Sequence, residues 1–360
     1  MQAERDLVES VVETLRSLPQ AHAEPGPCKR AAEQDRGHDA RIDLHLGGQS
    51  VSLRIATKRA VYPRDVRELI WQLRRRVDPA PQGRAKEQRL PFIVARFLSP
   101  GAKELLREAQ VGYFDSGGSL YLPGRGAYVY IEKPPPKPVA KALRSLFSGR
   151  RSQVLHALLL RPRRWVNVKE LAERSQASPA TVSEVMAELE RFDWLETRGQ
   201  GPNKERLLRE PGALLDAWSK QLGLARPPAL RRYYVPAVKP NDLPERLDRA
   251  FEPHQVAYAI THEAAAQRYA PFLSGVSQVR CRLMPGRPEE EALGALDARA
   301  VSEGANLAVI EVHSSGELLF REKVDGAWLA SPIQVYLDLV HSEGRAKEMA
   351  EHLRHERIGF

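Results

Sequence analysis

Cysteine is almost missing from this chain: Cys28 and Cys281 are the two among 360 residues. They stand far apart without metal-ligating neighbours, which argues against a disulfide framework and for a reducing, cytoplasmic compartment. Long apolar runs are missing as well. None approaches the roughly 20 residues that cross a bilayer, so no membrane partner is expected. The opening stretch "MQAERDLVESVVETL" is charged and amphipathic, and it lacks the apolar run and cleavage site of a secretory signal. No phosphate-cradling glycine loop and no Ser/His/Asp arrangement stands out. His352 and His355 have no clear carboxylate partner and do not make a metal site. Neither metal nor cofactor is expected.

What is present is basic. Lys and Arg number 55 against 46 Asp and Glu, a net charge of +9, which suits a nucleic-acid partner and equally a basic soluble enzyme. The hydrophobic fraction of 42% is enough for real cores. Two proline-rich joints, "EKPPPKPVA" at 132–140 and the weaker "ARPPAL" at 225–230, cut the chain into segments 1–132, 140–224 and 230–360. Consecutive prolines enter neither helices nor central strands, which is why such runs mark joints.

The first segment opens with a helix, because Leu7, Val8, Val11, Val12, Leu15 and Leu18 recur at helical spacing and Pro19 ends them. "RIDLHL" and "SVSLRIATKR" alternate as paired strands across Gly47-Gly48. "PRDVRELIWQLRRRV" predicts a helix, "LPFIVARFL" a buried strand and "SPGAKELLREAQ" a short helix capped by Ser99. "VGYFDSGGSLYLP" and "GAYVYIEK" finish with strands. The order is that of an α/β sandwich.

The middle segment carries the most specific pattern. "SQVLHALLLRP" predicts one helix and "NVKELAERSQ" a second, with Asn167 as N-cap. In "SPATVSEVMAELERFDWLETRG", Ser178 caps a third helix and Pro179 takes its favoured first position. Val182, Val185, Met186 and Leu189 form its apolar stripe and leave Thr181, Ser183, Glu184 and Ala187 outside. Two strand-like runs follow around Gly199, Gly201, Pro202 and Asn203. This is the order of a winged helix-turn-helix. A helix N-terminus with short polar side chains (Ser178, Thr181, Ser183) suits the major groove of double-stranded DNA. The wing would lay Arg198, Lys204 and Arg206 along the backbone. Between Lys141 and Asn167 stand Lys141, Arg144, Arg150, Arg151, Arg161, Arg163 and Arg164, with no acid among them. Of these, Arg150, Arg151, Arg163 and Arg164 are the candidate phosphate contacts. Glu184, Glu188, Glu190 and Asp193 make the rest of the third helix acidic, so only its first turn should meet DNA.

The order of helix, hairpin, helix and strand in the first segment resembles the restriction-endonuclease-like fold. The resemblance implies a metal site made of an Asp on one strand and a Glu-x-Lys triplet on the next. Asp43 takes the place of the Asp and Lys58 that of the Lys, but Ala56 stands where the Glu belongs and Arg54 is no ligand. Glu13 reads as a solvated helix residue. The expectation is a nuclease-like scaffold without hydrolysis, with Asp43 and Lys58 forming a salt bridge or lying on the surface.

The run Asp115, Gly117, Gly118, Leu120 resembles the AbiEi group of regulators from type IV toxin–antitoxin systems. So do Tyr258, Thr261, Ala264, Ala265 and Pro271, and most closely Ser331, Pro332, Gln334, Tyr336, Leu337, Asp338, Leu339, Gly344 and Arg345. His262 departs from that pattern, and AbiEi regulators place the winged helix first. The resemblance implies a transcription factor or antitoxin that represses its own promoter. Read from the residues alone, Ser331 caps a helix that Gly344 stops, and Asp338 accepts hydrogen bonds from Arg345 or the Gly344 turn.

The fold class is α/β multidomain: a restriction-endonuclease-like α/β domain, a winged helix-turn-helix and a C-terminal α/β domain. The expected function is that of a non-enzymatic, repressor-like DNA-binding regulator, homodimeric because helix-turn-helix proteins read two half-sites. The alternatives are an antitoxin that binds a toxin-like protein through its C-terminal domain, and a metal-dependent DNA nuclease.

Overall fold

A computed structural model describes residues 2–26, 40–76, 88–124, 128–134, 145–225, 227–236, 239, 242–273, 275–342 and 344–360. Cys28, Lys141, Arg144 and most of the first proline joint lie outside the described residues. The chain is mixed α/β. It forms two compact units, Met1–Leu143 with Ala187–Asp193, and Arg144–Met186 with Trp194–Phe360.

In the first unit, helix α1 (Gln2–Arg16) precedes β1 (Ala21–Pro25), β2 (Ala40–Leu46) and β3 (Gln49–Val61). Helix α2 (Pro63–Arg76), β4 (Gln88–Leu98), α3 (Pro100–Glu108), β5 (Gly112–Asp115), β6 (Leu120–Leu122) and β7 (Val129–Ile131) come next. The seven strands make one sheet in sequence order. β2 and β3 are antiparallel, and Gly47 and Gly48 turn between them at φ +55° and +78°, the left-handed geometry that favours glycine. β3, β4 and β5 run parallel, so α2 and α3 are the crossovers that parallel pairing requires. One face of the sheet buries Ile42, Leu53, Phe92 and Phe114 with Val11 and Leu15 of α1. The other buries Ala56, Ile93, Ala95 and Tyr113 with Leu69 and Leu73 of α2 and Leu106 of α3. Strand β1, the polar run "AHAEP", carries too little alternation to be predicted from sequence.

The glycine run after β5 is a turn built around a buried carboxylate. Asp115 accepts from the Gly117 and Ser119 amides at 2.9 and 3.1 Å, and its other oxygen pairs with Lys103 Nζ at 2.8 Å. Lys103 also donates to Ser119 Oγ at 2.8 Å, so the buried ion pair is hydrogen-bonded throughout.

After residue 145 come α4 (Gly149–Leu159), α5 (Val168–Ser175), α6 (Pro179–Arg191), the antiparallel pair β8 (Leu195–Arg198) and β9 (Glu205–Leu208), and α7 (Pro211–Gly223). The C-terminal part adds β10 (Leu230–Tyr234), α8 (Leu243–Phe251), β11 (Tyr258–Thr261), α9 (His262–Tyr269), β12 (Val279–Leu283) and α10 (Arg287–Ala295). It closes with β13 (Arg299–Ala300), β14 (Leu307–Glu311), β15 (Glu322–Val324), β16 (Ala327–Leu329), α11 (Pro332–Leu339) and α12 (Arg345–Leu353). The sheet order is β13-β10-β14-β12-β11-β16-β15.

The expected cut at 225–230 does not separate two bodies. His156 of α4 is buried, with Nε2 2.5 Å from Ser331 Oγ at the start of α11. Its ring lies 4.6 Å from that of Phe320 and 5.9 Å from that of Trp218. The Gln153 side chain fills the space where any Cβ on Gly316 would sit. Arg354 pairs with Asp216 of α7 at 2.6 Å. Burial pushes the His156 imidazole down to about 3, because charging it there forgoes hydration and Arg282 repels the cation.

Asp338 also differs from expectation. Its partners are Arg282 (2.5 and 3.0 Å), Thr261 (2.5 Å) and Gln334 (2.9 Å), rather than Arg345 or the Gly344 turn. Burial opposes its charge, yet the Arg282 guanidinium and these hydrogen bonds hold its carboxyl below the ordinary range.

Candidate nucleic-acid interface

Helix α5 starts where Asn167 Oδ1 accepts from the Glu170 amide at 2.9 Å, and it ends at Gln176 in the left-handed region, φ +51°. That reversal brings the chain to Ser178, whose Oγ accepts from the Thr181 amide at 3.1 Å and lies 3.0 Å from Thr181 Oγ1. Val182, Val185, Met186 and Leu189 are all fully buried, so the apolar stripe fixes which side of α6 faces out. Ser178 and Ser183 are exposed and Thr181 is half-buried on that outer side. β8 and β9 are joined through Gly199 at φ +74° and Gly201 at φ +58°. A Cβ on Gly199 would stand 2.6 Å from the Asn203 carbonyl oxygen, so only glycine fits there. Val166 and Arg206 exchange two backbone hydrogen bonds of 2.9 Å and add a bridge to the hairpin.

The candidate cations divide into three kinds. Arg151 pairs with Glu184 at 2.6 Å, Arg164 with Glu170 at 3.1 Å and Arg198 with Glu205 at 2.7 Å. Three of the charges read from the basic run and wing are therefore already matched by acids. Arg150 donates to Gln153 and the Gln176 carbonyl at 3.1 and 3.3 Å and is exposed. Arg163 is exposed and Lys204 half-buried. Arg206 corrects the expectation: at 8% exposure it lies inside, on the same side of β9 as Leu208, and cannot run along a backbone. Sequence reasoning missed Trp165, which the Arg198 guanidinium covers at 4.3 Å. The signal was an aromatic in a turn between two arginines and the Asn167 cap.

The front sheet places Asp43 and Lys58 apart. Asp43 lies opposite Ser52 in the β2–β3 register. Lys58 is six residues further along β3, about 20 Å at the rise of an extended strand. The two therefore do not pair, and of the two expectations, salt bridge or surface, Lys58 meets the second. Asp43 Oδ1 instead accepts from Arg41 Nε at 2.8 Å and Ser52 Oγ at 3.0 Å. Ala56 is buried under α2 and α3, and Lys58 is exposed. Among the described residues no group of three His, Cys, Asp or Glu is placed to hold a metal ion, and no helix is long and apolar enough to cross a membrane. Compared with protein-family models, curated proteins and solved structures, the chain gives no match.

Proposed function

We propose that this protein binds double-stranded DNA without cutting it and acts as a repressor-like regulator. In this reading α4, α5, α6 and the β8–β9 hairpin form a winged helix-turn-helix. The observation that carries it is the first turn of α6, where Ser178 and Ser183 are exposed on a capped helix N-terminus. Short polar side chains at a dipole-positive helix end fit base edges and phosphates. Arg150 and Arg163 supply the flanking charge. The sheet of the first unit serves as a scaffold, because Asp43 is engaged by Arg41 and Ser52 and has no acid at position 56 to share a cation with. Two copies reading two half-sites is the arrangement such readers adopt.

The test is a gel shift on fragments of the neighbouring upstream DNA, titrated with salt. With Arg151, Arg164 and Arg198 already paired, few phosphates are neutralised, and each contributes a slope of about −0.9 to log K against log salt. With Arg150 and Arg163 as the contacts, the reading expects a shallow slope of about −2, and an affinity loss of at least about tenfold in a combined Arg150→Ala, Arg163→Ala, Thr181→Ala variant. Full affinity in that variant would overturn this assignment of the contact surface. Magnesium-dependent nicking that vanishes in Asp43→Ala would overturn the non-enzymatic reading.

A further inference from the structure

We propose that the cleft between β12 and the first turn of α12 binds a small phosphorylated molecule bearing hydroxyl groups, of the sugar-phosphate or nucleoside-monophosphate class. The cleft measures about 420 Å³, and its polar lining includes Glu263, Gln278, Arg280 and Arg345. That volume lies within the range of small-molecule sites.

Several arginines of the C-terminal part are ion-paired: Arg282 with Asp338, Arg231 with Glu289 and Glu311, Arg354 with Asp216. Arg280, next along the same face of β12 as Arg282, donates only to the neutral Gln278 Oε1 at 3.3 Å. Arg345 enters no ion pair among the described residues and is exposed at the cleft mouth. Two arginines from different elements thus line one cleft outside any ion pair among the described residues, and guanidiniums bind phosphate through charge-assisted hydrogen bonds.

The backbone adds to this. Gly344, at φ +65°, has no side chain to cap α12, and Ala346 in that first turn lines the cleft. Uncapped amides at a helix start favour an anion. On the other wall stands Glu263, in the first turn of α9. Glu263 would repel a bare phosphate but accept from hydroxyls, and Gln278 can do either. A phosphate at the arginines with hydroxyls toward Glu263 satisfies every group.

The test is calorimetric titration of the full chain, without DNA, by inorganic phosphate, ribose 5-phosphate, adenosine 5′-monophosphate and a short duplex. Saturable binding of ribose 5-phosphate or adenosine 5′-monophosphate is expected, stronger than that of phosphate. Binding should weaken at least about tenfold in Arg345→Glu, whose exposed side chain leaves the fold intact, and should survive in Arg150→Ala, Arg163→Ala. In Glu263→Gln the preference for hydroxyl-bearing ligands over phosphate should narrow. No heat from any small ligand into the millimolar range, or unchanged binding in Arg345→Glu, overturns the proposal. So does a duplex that loses affinity in Arg345→Glu while the small ligands do not, because the cleft would then serve nucleic-acid phosphates. Failure here leaves the DNA reading of α6 untouched, since that rests on other residues and another measurement.

Discussion

His156 and His262 are both held neutral by burial, and this sets a pH dependence. Each has a folded pKa below its ordinary 6.5, His156 at about 3. Between those values the unfolded chain binds protons that the folded chain refuses. The stability these histidines contribute is therefore complete above about pH 6.5 and falls below it, for His156 down to about pH 3, by up to about 1.4 kcal/mol per pH unit for that residue. Urea melts at pH 7.5 and 5.5 check this, and His156→Gln should lessen the difference. Asp338 makes the opposite kind of prediction. Asp338→Ala leaves the buried Arg282 guanidinium with only the longer contact to Glu317, at 3.6 Å, and breaking a buried pair costs about 3–5 kcal/mol. The urea midpoint should fall accordingly, whereas Lys58→Ala, at an exposed position, should leave it in place.

At the scale of elements, the caps are the levers. Ser178→Ala removes the side chain that satisfies the Thr181 amide and should cost about 1 kcal/mol in thermal or urea melts. Gly199→Val collides with the Asn203 carbonyl and distorts the β8–β9 tip. It should lower DNA affinity several-fold in the gel shift while changing the melting temperature little. These are the features that short-range sequence patterns expose. Asn167, Ser178 and Ser331 were legible as caps because capping is decided within three residues, and the Val182–Leu189 stripe because helical periodicity is local. The Gly47-Gly48 hairpin was legible for the same reason. What sequence could not convey depends on partners far along the chain. Arg206 looked like a wing cation because nothing nearby says that β9 turns it inward. Arg151, Arg164 and Arg198 looked free because spacing in the chain did not reveal which acids face them. For Asp43 the legible turn already carried the answer: two residues at Gly47-Gly48 set Asp43 opposite Ser52, six residues short of Lys58.

For the whole molecule, the decisive feature is how residues 145–224 are joined to residues 230–360. His156, Gln153, Ser219 and Asp216 all find partners beyond the second proline joint. A fragment ending at 224 leaves the His156 ring without Ser331 and Phe320, and Asp216 without Arg354. Its circular-dichroism melt should lie well below that of 145–360, or show no cooperative step. A fragment that melts as the longer one does would mean those contacts contribute nothing. The domain count drawn from prolines missed this because a proline run reports local backbone stiffness, and says nothing of what packs across it.

The bond between His156 and Ser331 also has a practical side. Anyone moving α4, α5 and α6 onto another protein would have to carry the far end of the chain with them, or repack the surroundings of that imidazole. In a lineage, too, substitutions at Phe320 or Ser331 would reach α4 while sparing Ser178, Thr181 and Ser183.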